Sequence, residues 1–214
     1  MKTFCSFIVL LAITIGVNAQ SAEKAKEILD KVSAQTKAYP SIIADFSFKM
    51  ENLQENIEEI YDGSITLKDN KYKVSLMDVD TYFDGEVMYT HMIDAGEVNI
   101  TLPDPDDEET LNPATIFNIY QDGYKLNYVG EGNAEGRDVY EIDLYPTNRD
   151  KPYSRIKLLI FQDDLTLFSF RQVGKDGNNY TVIVKKMITN KQVDDKTFVF
   201  DTAAHSDVDV IDMR

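Results

Sequence analysis

"IIADFSFKM", residues 42–50, decides the fold. Its even positions, Ile42, Ala44, Phe46, Phe48 and Met50, are apolar, and Asp45, Ser47 and Lys49 stand between them. Side chains of an extended chain alternate between two faces, so a period of two predicts a strand with one buried and one solvated face.

The same rhythm runs outward in both directions. In "YDGSITL" (61–67) the apolar positions are Tyr61, Ile65 and Leu67, and Tyr72, Val74 and Leu76 then alternate with lysines and a serine. "DTYFDGEVMYTHM" (80–92) reads as two short strands around Asp84-Gly85, a hairpin signal. "VNITL" (98–102) follows. Beyond Gly123 come "YKLNYVG", "RDVYEIDLY", "SRIKLLIFQ", "TLFSFRQV", a Lys175-Asp176-Gly177-Asn178 turn, "NYTVIVKKM" and "KTFVFD". About eleven strands joined by short turns predict one large antiparallel sheet, curled or partly closed.

Two segments break the rhythm. From Ser21 to Tyr39 the residues Ala22, Ala25, Ile28, Leu29 and Val32 recur at helical spacing, Glu27 and Lys31 sit at i,i+4, and Pro40 ends the run. "LNPATIFNIYQDG" (111–123) has Asn112 as N-cap, Pro113 at the first helical position and Gly123 as the stop. Its Ile116, Phe117, Ile119 and Tyr120 spread apolar surface over more than one stripe, and a surface helix needs only one. Two modest helices do not fill a curl of eleven strands, which leaves room for a ligand. Either helix 112–121 plugs the mouth of an apolar cavity, or it is a core helix packed all round.

The first residues read differently again. Lys2, the apolar run Phe4–Val17 and the small-residue site Val17-Asn18-Ala19 make a secretory signal peptide, with cleavage expected after Ala19. The run is short for a bilayer span, and Cys5 lies at its start rather than at the cleavage point, where a lipoprotein would carry its lipid-attachment cysteine. Residues 1–19 are thus expected to be the signal and 20–214 a single domain. Cleavage leaves 195 residues with no cysteine. Loss of Lys2 takes the formal charge from −15 to −16. That excess of carboxylates argues against nucleic acid and anionic lipid surfaces as partners.

Chemistry is sparse. His91 lies among aromatic neighbours in a strand and His205 in the acidic tail, neither with a companion at metal-ligand spacing. Nucleophile, zincin and phosphate-loop motifs are missing, so no catalytic residue, metal or cofactor is expected. Asp104, Asp106, Asp107, Glu108 and Glu109 lack the spacing and glycine of an EF-hand and read as a solvated loop.

The order of these motifs resembles the LolA-type periplasmic carriers of outer-membrane lipoproteins. "AKEILDKVSAQTKAYPSIIADFSFKM" is similar to the family's helix before a Phe-rich strand. "GSITLKDNKYKV" matches its strand–basic turn–strand segment, and "FDGEVMYTH" its Asp-Gly hairpin. "NPATIFNIYQDG" is similar to its lid helix, and "VDDKTFVFDTAAHSDVDVIDMR" to its closing Lys-x-Phe-x-Phe and acidic tail.

The resemblance implies an unclosed antiparallel β-barrel of about eleven strands, with helices covering a hydrophobic cavity. It implies a monomeric, non-enzymatic periplasmic carrier. Such a carrier takes acylated lipoproteins from an inner-membrane ABC transporter and delivers them to an outer-membrane acceptor. Same-fold binding of another lipid or glycolipid, or sensing of stray lipoproteins, is the alternative. Strand parity then nominates Phe46, Phe48, Met50, Ile65, Leu67, Tyr72, Val74 and Met88 for the acyl-chain cavity. Ile116, Phe117, Ile119 and Tyr120 become the lid. The family's turn carries Arg-Pro, whose Arg latches the lid. Here Lys68-Asp69-Asn70 is one residue shorter, and Lys68, without the bidentate reach of arginine, is the candidate latch. Tyrosine and phenylalanine stand where the family often has tryptophan.

Overall fold

The computed structural model describes residues 5–103 and 119–214, with side chains of the first helix described from residue 20 onward. The chain runs α1 (Cys5–Lys37), β1 (Ile42–Asn52), β2 (Ile57–Lys68), β3 (Lys71–Leu76), β4 (Val79–Phe83), β5 (Met88–Met92) and β6 (Glu97–Thr101). A single 3-10 turn (Ile119–Gln121) precedes β7 (Tyr124–Ala134), β8 (Arg137–Pro146), β9 (Tyr153–Phe161), β10 (Leu167–Gly174) and β11 (Asn178–Thr189). A second 3-10 turn (Asp195–Phe198) and β12 (Asp209–Asp212) end the chain.

All twelve strands join one sheet in the order β12-β6-β5-β4-β3-β2-β1-β11-β10-β9-β8-β7. No ladder joins β12 to β7, so the barrel is unclosed, as expected. The meander breaks twice: β12 lies beside β6, and β11 returns beside β1, pairing Ile42 with Thr189 and Asn52 with Asn178. A bulge at Asp45/Phe46 bends the sheet at that seam.

Local chemistry explains the turns. Asp84 accepts from the backbone N–H groups of Glu86 and Val87, and Gly85 takes φ +104°, closing the β4–β5 hairpin at the predicted place. The C-terminal stretch corrects the sequence reading. "KTFVFD" is not a strand: Asp194 caps a 3-10 turn by accepting from Lys196 N–H, and Phe198 and Phe200 are both buried beneath the crossing chain. Alternation there marks which side chains face the protein, not membership of the sheet. The twelfth strand comes from the tail instead, where β12 pairs parallel with β6, Asp209 opposite Glu97 and Asp212 opposite Ile100.

α1 lays Ala25, Ile28, Leu29 and Val32 on Ile142, Leu144, Ile156, Leu158, Ile160 and Phe170. These are the inward positions of β8, β9 and β10. Burying side chains of this size contributes about 1.5–3 kcal/mol each, so this sandwich is the principal core. Lys31 Nζ and Glu27 Oε1 meet at 2.7 Å on its solvent side.

Candidate functional site

The same face of the sheet continues beyond α1, across β11 to β1–β5. Residues directly opposite in an antiparallel ladder point the same way, so the register decides which side chains share a surface. On β1 and β2 the pairs are Ile42–Leu67, Ala44–Ile65, Phe46–Gly63, Phe48–Tyr61 and Met50–Glu59. Leu67 faces Tyr72 and Ile65 faces Val74; Tyr72 then faces Phe83, and Phe83 faces Met88. The ladders therefore bring Phe46, Phe48, Met50, Ile65, Leu67, Tyr72, Val74 and Met88 onto one face.

Burial across that face is uneven. Phe46, Leu67 and Tyr72 are buried, at 7, 9 and 6% exposure. Phe48, Met50, Ile65, Val74 and Met88 are half-buried. Ile42, Leu67 and Tyr72 form a cluster of their own, with Tyr39, Ile65, Val74, Phe83 and Met187 packed against it, separate from the core beneath α1. Aromatic rings organise the surface. Tyr72 and Phe83 lie 5.3 Å apart, the Tyr72 hydroxyl points at Met88 Sδ at 3.8 Å, and Phe48 stacks on Tyr180 at 6.1 Å. Burial pushes the Tyr72 phenol above its ordinary range, keeping it neutral.

Sequence reading missed several members of this surface. Phe83, Tyr180 and Val182 share it through register, which no local pattern reveals. Gly63 is the seat of Phe46: a Cβ there would lie 2.5 Å from Phe46 Cζ and 2.9 Å from the Ser75 carbonyl oxygen. A glycine inside a strand opposite an aromatic residue was the signal available.

The nominated lid divides. Ile116 and Phe117 lie outside the described residues, as does most of the acidic loop. Tyr120 is buried in the α1 core, its hydroxyl donating to Asp30 Oδ1 at 2.9 Å, and Ile119 packs against the same cluster. The segment is thus fastened to α1 just before β7. Lys68 does not share the apolar face. It pairs with Lys71 on the opposite side and donates to the Val193 carbonyl at 2.9 Å and to Asp195 at 2.6 Å. Lys71 reaches the other Asp195 oxygen at 2.7 Å. Hydrogen bonds from the two lysines hold the Asp195 carboxyl down at about 2. Both described partners of Lys68 belong to the C-terminal segment, which these contacts fasten to the sheet.

The two histidines meet on that opposite face. Phe200 packs against His91 at 4.9 Å and His205 at 4.7 Å. Among the described residues, no group of three or more His, Cys, Asp or Glu is placed to hold a metal ion.

An unclosed sheet, one helix on its inner face and an aromatic-rich apolar surface beside that helix is an architecture with a name. The family model described as outer membrane lipoprotein carrier protein LolA matches residues 15–161. This chain belongs to that family. Its fold is similar to that of an uncharacterized conserved protein from Thermus thermophilus, at TM-score 0.58 and 12% identity, covering 88% of this chain and 99% of that one. A LolA superfamily protein from Nitrosomonas europaea is similar at TM-score 0.45 and 13% identity, over 83% of this chain and 98% of that one. In sequence, enterotoxin type H of Staphylococcus aureus is 29% identical over 148 residues, 64% of this chain and 57% of that protein. The chain thus spans little more than half the length of that curated relative.

Proposed function

We propose that this LolA-family protein is an exported carrier that shields the acyl chains of lipoproteins and ferries them from inner to outer membrane. The observation that carries the reading is the inner face of β1–β5. Five strands present a largely apolar surface there, of which Phe48, Met50, Ile65, Val74 and Met88 remain half-buried, while the centre of the neighbouring half of the same face is covered by α1. In this reading residues 1–19 direct export and are removed after Ala19, and 20–214 work as one domain in the periplasm. Loading comes from an inner-membrane ABC transporter and unloading goes to an outer-membrane acceptor. Ile116 and Phe117 close over the cargo, and Ile119 and Tyr120 tie the closing segment to α1. Lys68 serves the C-terminal segment.

Energetics limits how such a carrier works. Burying one CH₂ contributes about 0.8 kcal/mol, so a fully sequestered palmitoyl-length chain gains on the order of 11–12 kcal/mol. Two or three chains held that tightly would not leave. A half-buried surface whose cover is itself apolar offsets part of the gain, because cargo must displace protein side chains rather than water.

Native mass spectrometry of the protein purified without detergent tests this reading. An adduct resolving to an acylated polypeptide supports it. A free lipid or glycolipid adduct replaces the cargo, and failure to bind a fluorescent fatty-acid probe overturns the carrier reading.

A further inference from the structure

The β1–β2 hairpin outruns its neighbour. β2 begins at Ile57, but its ladder with β3 begins only at Gly63, opposite Leu76, where the chain turns back through Met77 and Asp78. Residues 57–62 pair with β1 on one side, from Asn52–Ile57 to Ser47–Asp62. Among the described residues, no strand pairs with their other side. Alternate N–H and C=O groups of a strand point to each side. Six residues of peptide edge are therefore presented outward, and such an edge is a template for another strand.

The side chains on this edge mix exposed apolar groups with carboxylates. Ile57 and Ile60 are 46 and 58% exposed, one on each face. Glu58, Glu59 and Asp62 lie among them. Glu58 is held by Lys49 at 2.8 Å and Asp62 by Lys185 at 2.6 Å, both lysines reaching from the β1 and β11 side. Where β3 stops, a cleft of about 680 Å³ opens, lined by Tyr61, Asp62, Leu76, Met77, Asp78 and Ile93 among others.

We infer that residues 57–62 are a docking edge for an extended basic segment of another protein, which adds as a strand in the row of β3 and ends in the cleft beside Met77 and Asp78. Charge selects the occupant. A second copy of this acidic edge is repelled by it, whereas directly opposed residues of opposite charge, or both apolar, attract. An antiparallel occupant facing Asp62 down to Ile57 therefore reads basic, aromatic, apolar, basic, basic, apolar, over roughly 20 Å. Lys-Tyr-Val-Lys-Lys-Val satisfies that order. The inference does not rest on the acyl cargo, because the edge offers backbone groups in the plane of the sheet, although Glu59 and Tyr61 share the inner face with Met50 and Phe48.

Titrating the labelled full chain with that blocked hexapeptide, followed by amide NMR, tests the inference. Saturable shifts are expected at residues 57–62 and 76–79, with alternate amides of 57–62 gaining protection from exchange. Ile60→Lys should weaken binding at least fivefold. Of two peptides N-methylated on alternate amides, one should lose binding and the other keep it, as a one-sided ladder requires. Equal binding by both methylated peptides, or by the peptide with glutamate in place of each lysine, would overturn the inference. So would shifts confined to other residues, saturation absent at millimolar peptide, or concentration-dependent pairing of two copies through 57–62.

Discussion

The inner face of the sheet has two halves, and they are finished differently. Over β7–β10 the helix α1 covers the centre of the surface: Ile142, Leu144, Ile156 and Ile160 are fully buried, and the half-buried Leu126, Tyr128 and Tyr140 pack around them. Over β1–β5 the face is also largely apolar, yet Phe48, Met50, Ile65, Val74 and Met88 remain half-buried. β11 is the seam, with Val182 packing into the α1 core and standing opposite Phe48 across the ladder with β1. One half is packed beneath a helix and the other is left partly uncovered. The same alternating strands build both, so the difference lies in what covers them.

Substitutions separate the halves most sharply in the roofed one. Ile156→Ala removes fully buried atoms beneath α1 and should cost about 2–5 kcal/mol in urea denaturation, because the packed site relaxes little. Val74→Ala in the other half should cost about 1 kcal/mol, since its side chain is only half withdrawn from water. Equal losses would erase the distinction. Gly63→Ala comes next, at about 1–3 kcal/mol, because its methyl collides with the Phe46 ring and the Ser75 carbonyl. Combining it with Phe46→Ala should give less than the sum of the two losses, a coupling that a double-mutant cycle reads directly.

Phe48→Ser tests the partly uncovered half itself. Affinity for a fluorescent fatty-acid probe should fall about tenfold, or about 1.4 kcal/mol. The urea midpoint should move less than for Ile156→Ala. The smallest effect concerns the C-terminal crossing. The Asp195 carboxyl is lowered from 3.8 to about 2 by Lys68 and Lys71, so its contribution is complete above pH 4 and disappears as pH falls through about 2. The stability difference between the protein and Asp195→Asn should accordingly be present at pH 5 and shrink toward pH 2. A gap unchanged across that range would remove the two lysines as the cause.

Much of this was legible in the residues. Alternation in Ile42–Met50 marked both a strand and its inward face, since a period of two has one geometric solution. Asp84-Gly85 announced its hairpin because an Asx side chain and a positive φ are local properties. Ala25, Ile28, Leu29 and Val32 announced the face of α1. Elsewhere local pattern misled or was silent. Lys-Thr-Phe-Val-Phe alternates like a strand but only crosses one. Asp209–Asp212 carries no strand signal, since its partner β6 is distant in the chain and parallel. For Lys68, nominated as a latch for the lid, the pattern did not announce its described partners, Val193 and Asp195 of the C-terminal segment.

The sequence by itself determined which side chains within each strand share a face, because that depends only on the period of the backbone. Tertiary structure alone decided how much of that face is covered. It placed α1 over β7–β10 rather than β1–β5, ended β3 six residues short of β2, and brought the tail back to the edge of the sheet. Each of these depends on where the chain returns through space, and a return over many residues is set by the packing and pairing found on arrival.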